Sequence, residues 1–429
     1  MAQELMAFRA FERDEIFSCI TGLIKNSGEL DRESRTEMAS WYCDCIANMA
    51  AAVETAGLRG NIWNSWLAML FAECETTFAL SQERRKPLTG TLSRIVMDDL
   101  ETIFGYLDFD LNAIDDELGV DAFGRFGDYE PLSLEEAVFS RNAGAIIQTL
   151  ADDMAKASSA EELHCALLKF YTEYGVGKFA LNKAFRWDGG KAEILPVTHT
   201  EEITFGDLVG YAEQKKILCD NTAAFIEGRP ANNVLLYGES GTGKSSSVKA
   251  LLNQYSYKGL RMVEIYKHQI EDLAKIVDMI KSRNYKFILF MDDLSFEQFE
   301  VEYKFLKAFI EGGLEKRPDN VLIYATSNRR HLMKESWSDR DDKQDDMHES
   351  ETMQERMSLV DRFGLMVSYF SPAQAEYLDI VRTLAQEYGV NVTEEELEKG
   401  AINWELKHGG FSGRSARQFI EFLAGKKEV

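Results

Sequence analysis

The sequence predicts an α/β fold: a parallel sheet carrying a phosphate loop, preceded by an all-helical N-terminal region and followed by a helical lid. Three observations carry that expectation. Residues 238–245 read Gly-Glu-Ser-Gly-Thr-Gly-Lys-Ser directly after the apolar run Val234-Leu235-Leu236-Tyr237. That is the strand–loop–helix setting a phosphate loop needs. Short apolar runs then alternate with helix-length intervals, the pattern of a parallel sheet covered on both faces. Before about residue 195, apolar residues recur at three- and four-residue spacing, which is helical.

In that first region helices are expected over 14–25, 35–56, 62–80 and 91–107. Turn signals separate them at Gly28, 57–60, 87–90 and 124–131. A further helical stretch is expected over 132–174, where Ser133 followed by Glu135 and Glu136 suits a helix start. Trp41, Tyr42, Trp63, Trp66 and Met69 lie at helical spacing and read as core or as a partner surface. No catalytic motif shows here. Residues 1–195 are therefore expected to form a helical domain for client, adaptor or oligomer contacts. Residues 185–200, with Gly189, Gly190 and Pro196, read as a linker. The nucleotide core is expected over 196–371, with strands at 234–237, 261–265, 287–291 and 321–326. After Ser371-Pro372, a cap followed by proline in the first helical position, the remainder (372–429) reads as a helical lid. Residues 335–355 hold nine acidic and two basic residues and read as a loop.

Composition bounds the function. At 429 residues the chain has room for two or three domains. Its 45% hydrophobic and 28% charged content is that of an ordinary soluble protein. No run approaches the roughly 20 apolar residues of a membrane helix, and the first residues lack a secretory pattern. A cytoplasmic location without membrane contact is the expectation. The six cysteines are scattered, with no C-x-x-C pair, so free thiols are expected rather than zinc or disulfides. The net charge of −24 weighs against a broad nucleic-acid surface, although a local basic patch stays open.

The loop itself points to a nucleoside triphosphate. Gly238, Gly241 and Gly243 let the backbone of Glu239, Ser240 and Thr242 curl so that N–H groups face phosphate oxygens. The following helix start adds partial positive charge. Lys244 reaches the β- and γ-phosphates and Ser245 can ligate Mg²⁺. Kinases, GTPases and ATPases all share that much. Downstream, the strand ending in Asp292-Asp293 supplies a carboxylate for the ion (Asp292) and one that polarises water as general base (Asp293). A second buried strand ends at Thr326-Ser327-Asn328, where Asn328 offers a donor and an acceptor beside the γ-phosphate.

With these motifs in this order, residues 203–425 resemble the AAA+ ATPases. The resemblance implies ATP and Mg²⁺ as ligands. Phe205-Gly206-Asp207-Leu208-Val209-Gly210-Tyr211 looks like the family segment whose backbone grips adenine, which gives Val209 and Gly210 that role. Asn328 matches the sensor 1 position. Ser358-Leu359-Val360-Asp361-Arg362-Phe363-Gly364 resembles the box carrying the arginine finger, which makes Arg362 the residue that completes a neighbouring subunit's site. Ser412-Gly413-Arg414-Ser415-Ala416-Arg417 resembles the start of the sensor 2 helix, with Arg414 as sensor 2 and Arg417 as the second choice.

Two departures from the family pattern bear on activity. Asp293 stands where the family usually has Glu, one methylene longer, although bacterial replication initiators and helicase loaders also carry Asp-Asp here. No pore insertion is visible, and Tyr266-Lys267 is the only candidate for one. The overall likeness is to a bacterial AAA+ family classed as a domain of unknown function, which shares the run Asp292-Asp293-Leu294-Ser295-Phe296-Glu297. The resemblance implies a homo-oligomeric ATPase that remodels or switches an unknown protein client. An ATP-gated scaffold with little hydrolysis, or a nucleic-acid loader or initiator, are the alternatives.

Overall fold

The computed structural model of the chain describes residues 4–26, 32–132, 141–295, 301–311, 318–328, 362–408 and 410–425. The Ser133 helix start, Phe296 and Glu297, the acidic segment 335–355 and residues 358–361 of the finger box lie outside those residues. The chain divides into two compact units, Met1–Asn182 and Lys183–Val429.

The first unit is built of helices: α1 (Glu15–Lys25), α2 (Arg32–Ala56), α3 (Ile62–Glu73), α4 (Thr77–Glu83), α5 (Thr91–Leu107), α6 (Asn112–Leu118), α7 (Arg141–Met154), α8 (Ala160–Glu173) and the short α9 (Lys178–Leu181). Side-chain caps set several of the boundaries. The Asp14 carboxylate accepts the Phe17 N–H at 2.8 Å to start α1. The Thr76 hydroxyl accepts the Ala79 N–H at 3.0 Å and starts α4. Because Cys74 is extended there, the single helix expected over 62–80 is two helices. Likewise the stretch expected over 132–174 is broken before Ser159, whose hydroxyl caps α8.

Aromatic rings fill the core of this unit. Phe8 and Phe11 meet the Phe71 ring edge-on at 5.3 and 4.9 Å, an arrangement the ring quadrupoles favour. Tyr42 and Trp63 are fully buried, and Trp66 and Met69 pack against the core from partial exposure. Trp41 departs from this stripe and is 48% exposed. All six cysteines are free; Cys19 and Cys45 are buried and Cys165 is exposed.

The second unit is a seven-stranded sheet with helices. Its strands are β1 (Ala184–Asp188), β2 (Glu193–Pro196), β3 (Val234–Gly238), β4 (Leu260–Glu264), β5 (Lys286–Met291), β6 (Val321–Ser327) and β7 (Leu365–Tyr369), in the order β2-β1-β4-β5-β6-β3-β7. Every neighbouring pair is parallel except β1 with β2. The helices are α10 (Ala212–Ile226), α11 (Lys244–Tyr255), α12 (Leu273–Ile280), α13 (Val301–Glu311), α14 (Gln374–Glu387), α15 (Glu394–His408) and α16 (Gly413–Gly425).

Both faces of the sheet are covered. Val234, Leu236, Ile288, Phe290, Leu322 and Tyr324 share a core with Leu218 and Phe225 of α10 and with Val248 and Leu251 of α11. The alternate residues Leu235, Val263, Leu289 and Ile323 are fully buried as well. That is why these strands read as continuous apolar runs. The helices α14, α15 and α16 pack on one another through Tyr377, Val381, Ala401, Ala416, Phe419 and Ile420. No helix among the described residues is long and apolar enough to cross a membrane.

The expected linker at 185–200 is corrected by the sheet. Residues 184–196 form a hairpin, with Phe185 paired to Pro196 and Asp188 to Glu193. Phe185 and Trp187 point into the protein while Arg186 points out, a period-two pattern. Asp188 Oδ1 accepts the Gly190 and Lys191 N–H groups at 2.9 and 3.1 Å and builds the turn. The glycines that suggested a linker mark this turn. The short strand β7 was not expected either.

Candidate nucleotide site

The phosphate loop leaves the C-terminal end of β3 and enters α11, with Lys244 as the first helical residue. Two glycines there have no substitute. A Cβ on Gly238, at φ +138°, would lie 1.8 Å from the Tyr369 carbonyl oxygen of β7. A Cβ on Gly241, at φ +78°, would press on Ser412 and Arg414 at 3.1 Å. The Thr242 hydroxyl donates to the Glu239 carbonyl at 2.8 Å and fixes the curl. Lys244 is buried, and its ammonium donates to the carbonyls of Gly238 (3.0 Å) and Glu239 (2.6 Å) and to Asn328 Oδ1 (3.0 Å). Burial pushes the pKa of Lys244 down, against the opposing pull of the Asp293 and Asp292 carboxylates.

Sheet order explains what meets the loop. β6 lies between β3 and β5, so residues at the ends of β5 and β6 stand beside the loop that follows β3. Ser245 Oγ donates to Asp292 Oδ1 at 2.5 Å. Asn328 uses both ends of its amide: Oδ1 accepts from Lys244, and Nδ2 donates to Asp293 Oδ1 at 2.7 Å. Asp293 itself has a left-handed backbone, φ +51°. A serine hydroxyl beside a carboxylate oxygen is the oxygen-donor set a hard divalent cation takes, so Ser245 and Asp292 fit Mg²⁺.

These groups line one end of a cleft of about 460 Å³, a size suited to a small ligand. Arg414 and Arg417 of α16 line it too. Arg414 Nη1 lies 3.4 Å from Ser240 Oγ, and its amide donates to the Gly241 carbonyl at 3.3 Å. Leu208, Val209 and Tyr211, with Ile380 and Leu384 of α14, form a more apolar end.

That apolar end is braced by residues the motif reading passed over. Asp207 Oδ2 accepts the Thr204 N–H at 2.6 Å and its hydroxyl at 2.9 Å. Those bonds hold the Asp207 carboxyl below its ordinary pKa. Lys215 donates to the Phe205 carbonyl at 3.0 Å and to that of Leu208, and burial lowers its pKa. Tyr211 starts α10 from a left-handed conformation, and its hydroxyl donates to the Phe370 carbonyl at 2.7 Å. Asp207 and Tyr211 sit inside the segment singled out from sequence, so its local turn chemistry could have flagged them. Ile380 and Leu384 look like any apolar stripe of a helix.

Not every expected residue lines the cleft. Gly238 and Glu239 contribute carbonyls to Lys244, and the Glu239 carboxylate accepts from the Ser371 hydroxyl. Gly210, at φ +82°, turns the chain between Val209 and Tyr211. Arg362 is absent from the lining; it pairs with Glu311 Oε1, at the end of α13, at 2.8 Å.

A sheet of this order with these groups at its strand ends invites comparison with known proteins. Residues 180–427 match the model of the family described as protein of unknown function (DUF815). The chain belongs to that family. This family member is also 27% identical over 169 residues to proteasome-activating nucleotidase 1 of Haloferax volcanii, a match covering 33% of this chain and 41% of that protein. The chain therefore spans about two fifths of that relative. Among solved structures, the Thermotoga maritima RuvB Holliday junction branch migration motor shares 16% identity over 52% of this chain and 72% of its own, with a TM-score of 0.33. The FIGL-1 AAA domain in complex with ADP shares 19% over 52% and 74%, with a TM-score of 0.36. The family match and the motifs on this sheet make the second unit an AAA+ ATPase-like module.

Proposed function

We propose that this chain is a Mg²⁺-dependent ATPase working as a homo-oligomer that remodels or switches a protein client. The observation that carries the reading is the convergence on one cleft of the Lys244 ammonium, the Ser245–Asp292 pair and the Asp293–Asn328 pair. The triphosphate of ATP lies in the loop of residues 238–245, and its base lies toward Val209, Ile380 and Leu384. Lys244 exchanges the Asn328 oxygen and a backbone carbonyl for phosphate oxygens. Ser245 and Asp292 hold Mg²⁺, which supplies charge neutralisation at the phosphates.

Asp293 takes a proton from the attacking water, and the Asn328 amide orients that water. Arg414 stabilises charge from the lid side, with Arg417 beside it. Arg362, which lies outside the cleft of its own chain, completes the site of a neighbouring copy. The helical unit 1–182 receives the client or adaptor. Purified protein should hydrolyse ATP with a specific activity that rises with protein concentration. A specific activity independent of concentration, or an Arg362→Ala variant with full activity, contradicts the oligomeric site.

One observation favours a second reading, an ATP-gated switch with little turnover. The Asp293 carboxylate is already engaged by Asn328, on a twisted backbone, and is one methylene short of glutamate. Single-turnover hydrolysis by wild type and Asp293→Glu separates the two readings: the switch holds if neither turns over.

A further inference from the structure

Thr326 lies in β6, between β3 and β5, and is 1% exposed. It grips three consecutive residues of the turn after β5. Its carbonyl accepts the Leu294 N–H at 2.7 Å. Its Oγ1 accepts the Asp293 N–H at 2.9 Å and lies 2.5 Å from Asp292 Oδ1. An amide can only donate, so a lone pair of the hydroxyl serves Asp293 and its single proton goes to Asp292. The same Asp292 oxygen receives the Ser245 hydroxyl at 2.5 Å. One hydroxyl thus links the carboxylate suited to the ion with the backbone that aims the base.

That backbone is unusual. A non-glycine residue at φ +51° is strained, and such strain persists only where neighbours over-determine it. Without the hydroxyl, the Asp293 amide keeps only its 3.2 Å approach to Asp292 Oδ1. The strand pairing of β5 with β6 ends at Met291 with Ala325, so beyond it the threonine side chain takes over from the ladder.

We propose that Thr326 is a positioning residue for ATP hydrolysis: its hydroxyl fixes the Asp292 rotamer toward Ser245 and holds Asp293 in the conformation that presents its short carboxylate. The proposal rests on the ATPase reading above. It is tested with Thr326→Val, nearly the same shape, and Thr326→Ala, smaller and without steric demand, beside Thr326→Ser, which keeps the hydroxyl. Two quantities are read: the gain in affinity for a fluorescent ATP analogue when Mg²⁺ replaces EDTA, and kcat at saturating Mg²⁺ and ATP.

Losing a charge-assisted bond and leaving an amide poorly paired corresponds to a change of about 10- to 100-fold. The valine and alanine variants should lose that much of the Mg²⁺-dependent gain and of kcat, with EDTA affinity unchanged and with serine restoring both. Wild-type values in the hydroxyl-free variants overturn the proposal, as does a serine variant no better than valine. A wild type that binds the analogue with Mg²⁺ yet never turns ATP over overturns the role of Thr326 in hydrolysis together with the hydrolysis reading, and the affinity arm then decides only whether its hydroxyl sets Asp292 for the ion. A wild type that binds no nucleotide overturns both.

Discussion

Two buried carboxylates of the helical unit and the two at the end of β5 are held by different kinds of donor. In the helical unit, Asp99 of α5 is buried and accepts the backbone N–H groups of Met6, Ala7 and Phe8 at 2.9, 2.7 and 3.0 Å. Asp115 of α6 similarly accepts from the amides of Phe123 and Gly124. The Asp99 bonds fasten a segment more than 90 residues away, and those of Asp115 close a local loop. In the sheet unit, Asp292 and Asp293 are exposed at a strand end. They are held largely by the side chains of Ser245, Thr326 and Asn328. Backbone donors make a carboxylate a fixture, whereas the Ser245 hydroxyl and the Asn328 amide can rotate and trade one partner for another around the fixed Thr326. The second arrangement suits a site that must accept a ligand.

Substitutions can break that contrast. The largest expected effect is Lys244→Ala, which should cost more than 100-fold in ATP affinity, since a phosphate-facing ammonium in a partly dry cleft makes charge-assisted bonds. Unchanged affinity, measured by titration calorimetry, would refute the assignment of the loop. Asp293→Ala should lower turnover by about 10²–10⁴ while nucleotide still binds. Equal turnover in that variant removes its role as base.

In the other unit, Asp99→Ala should destabilise the fold by about 2–4 kcal/mol, because buried amides lose their acceptor. Urea unfolding reads that loss, and nucleotide affinity should stay put. A large loss of ATP binding in Asp99→Ala would show that the two kinds of carboxylate are not separable.

The smallest effect concerns pH. His164 is partly buried against the Phe78 ring at 5.4 Å, and burial lowers its pKa from 6.5. The unfolded chain therefore takes up a proton first. The contribution of this group is intact above about pH 6.5 and shrinks as pH falls below it. The urea midpoint of the wild type should drop between pH 7.5 and 5.5 by more than that of His164→Gln. Equal drops would show that the histidine is not the sensor.

How much of this was legible beforehand follows from the same physics. The phosphate loop, the Asp-Asp strand end and the Thr-Ser-Asn strand end are short contiguous strings tied to apolar runs, so local pattern exposes them. Thr326 looks like an ordinary strand residue until β6 is known to lie beside the β5 turn. Ile380 and Leu384 become cleft residues only through the packing of α14. The hairpin was hidden because Gly189, Gly190 and Pro196 signal a turn without saying whether paired strands flank it. The break at Cys74 was legible in principle, because Thr76 is a good helix cap, but the apolar spacing runs straight through it. Arg362 marks the limit of a single chain, since the role assigned to it needs a second copy.

The hairpin also matters for solubility. β2 is a four-residue margin ending in Pro196, flanked by β1 rather than by bare solvent-facing β4. A fragment beginning at 196 would shear away both strands and leave the amides and carbonyls of Leu260–Glu264 as an unguarded seam. Such a seam recruits strands from other molecules, so a fragment starting at 196 should clump more readily than the full chain.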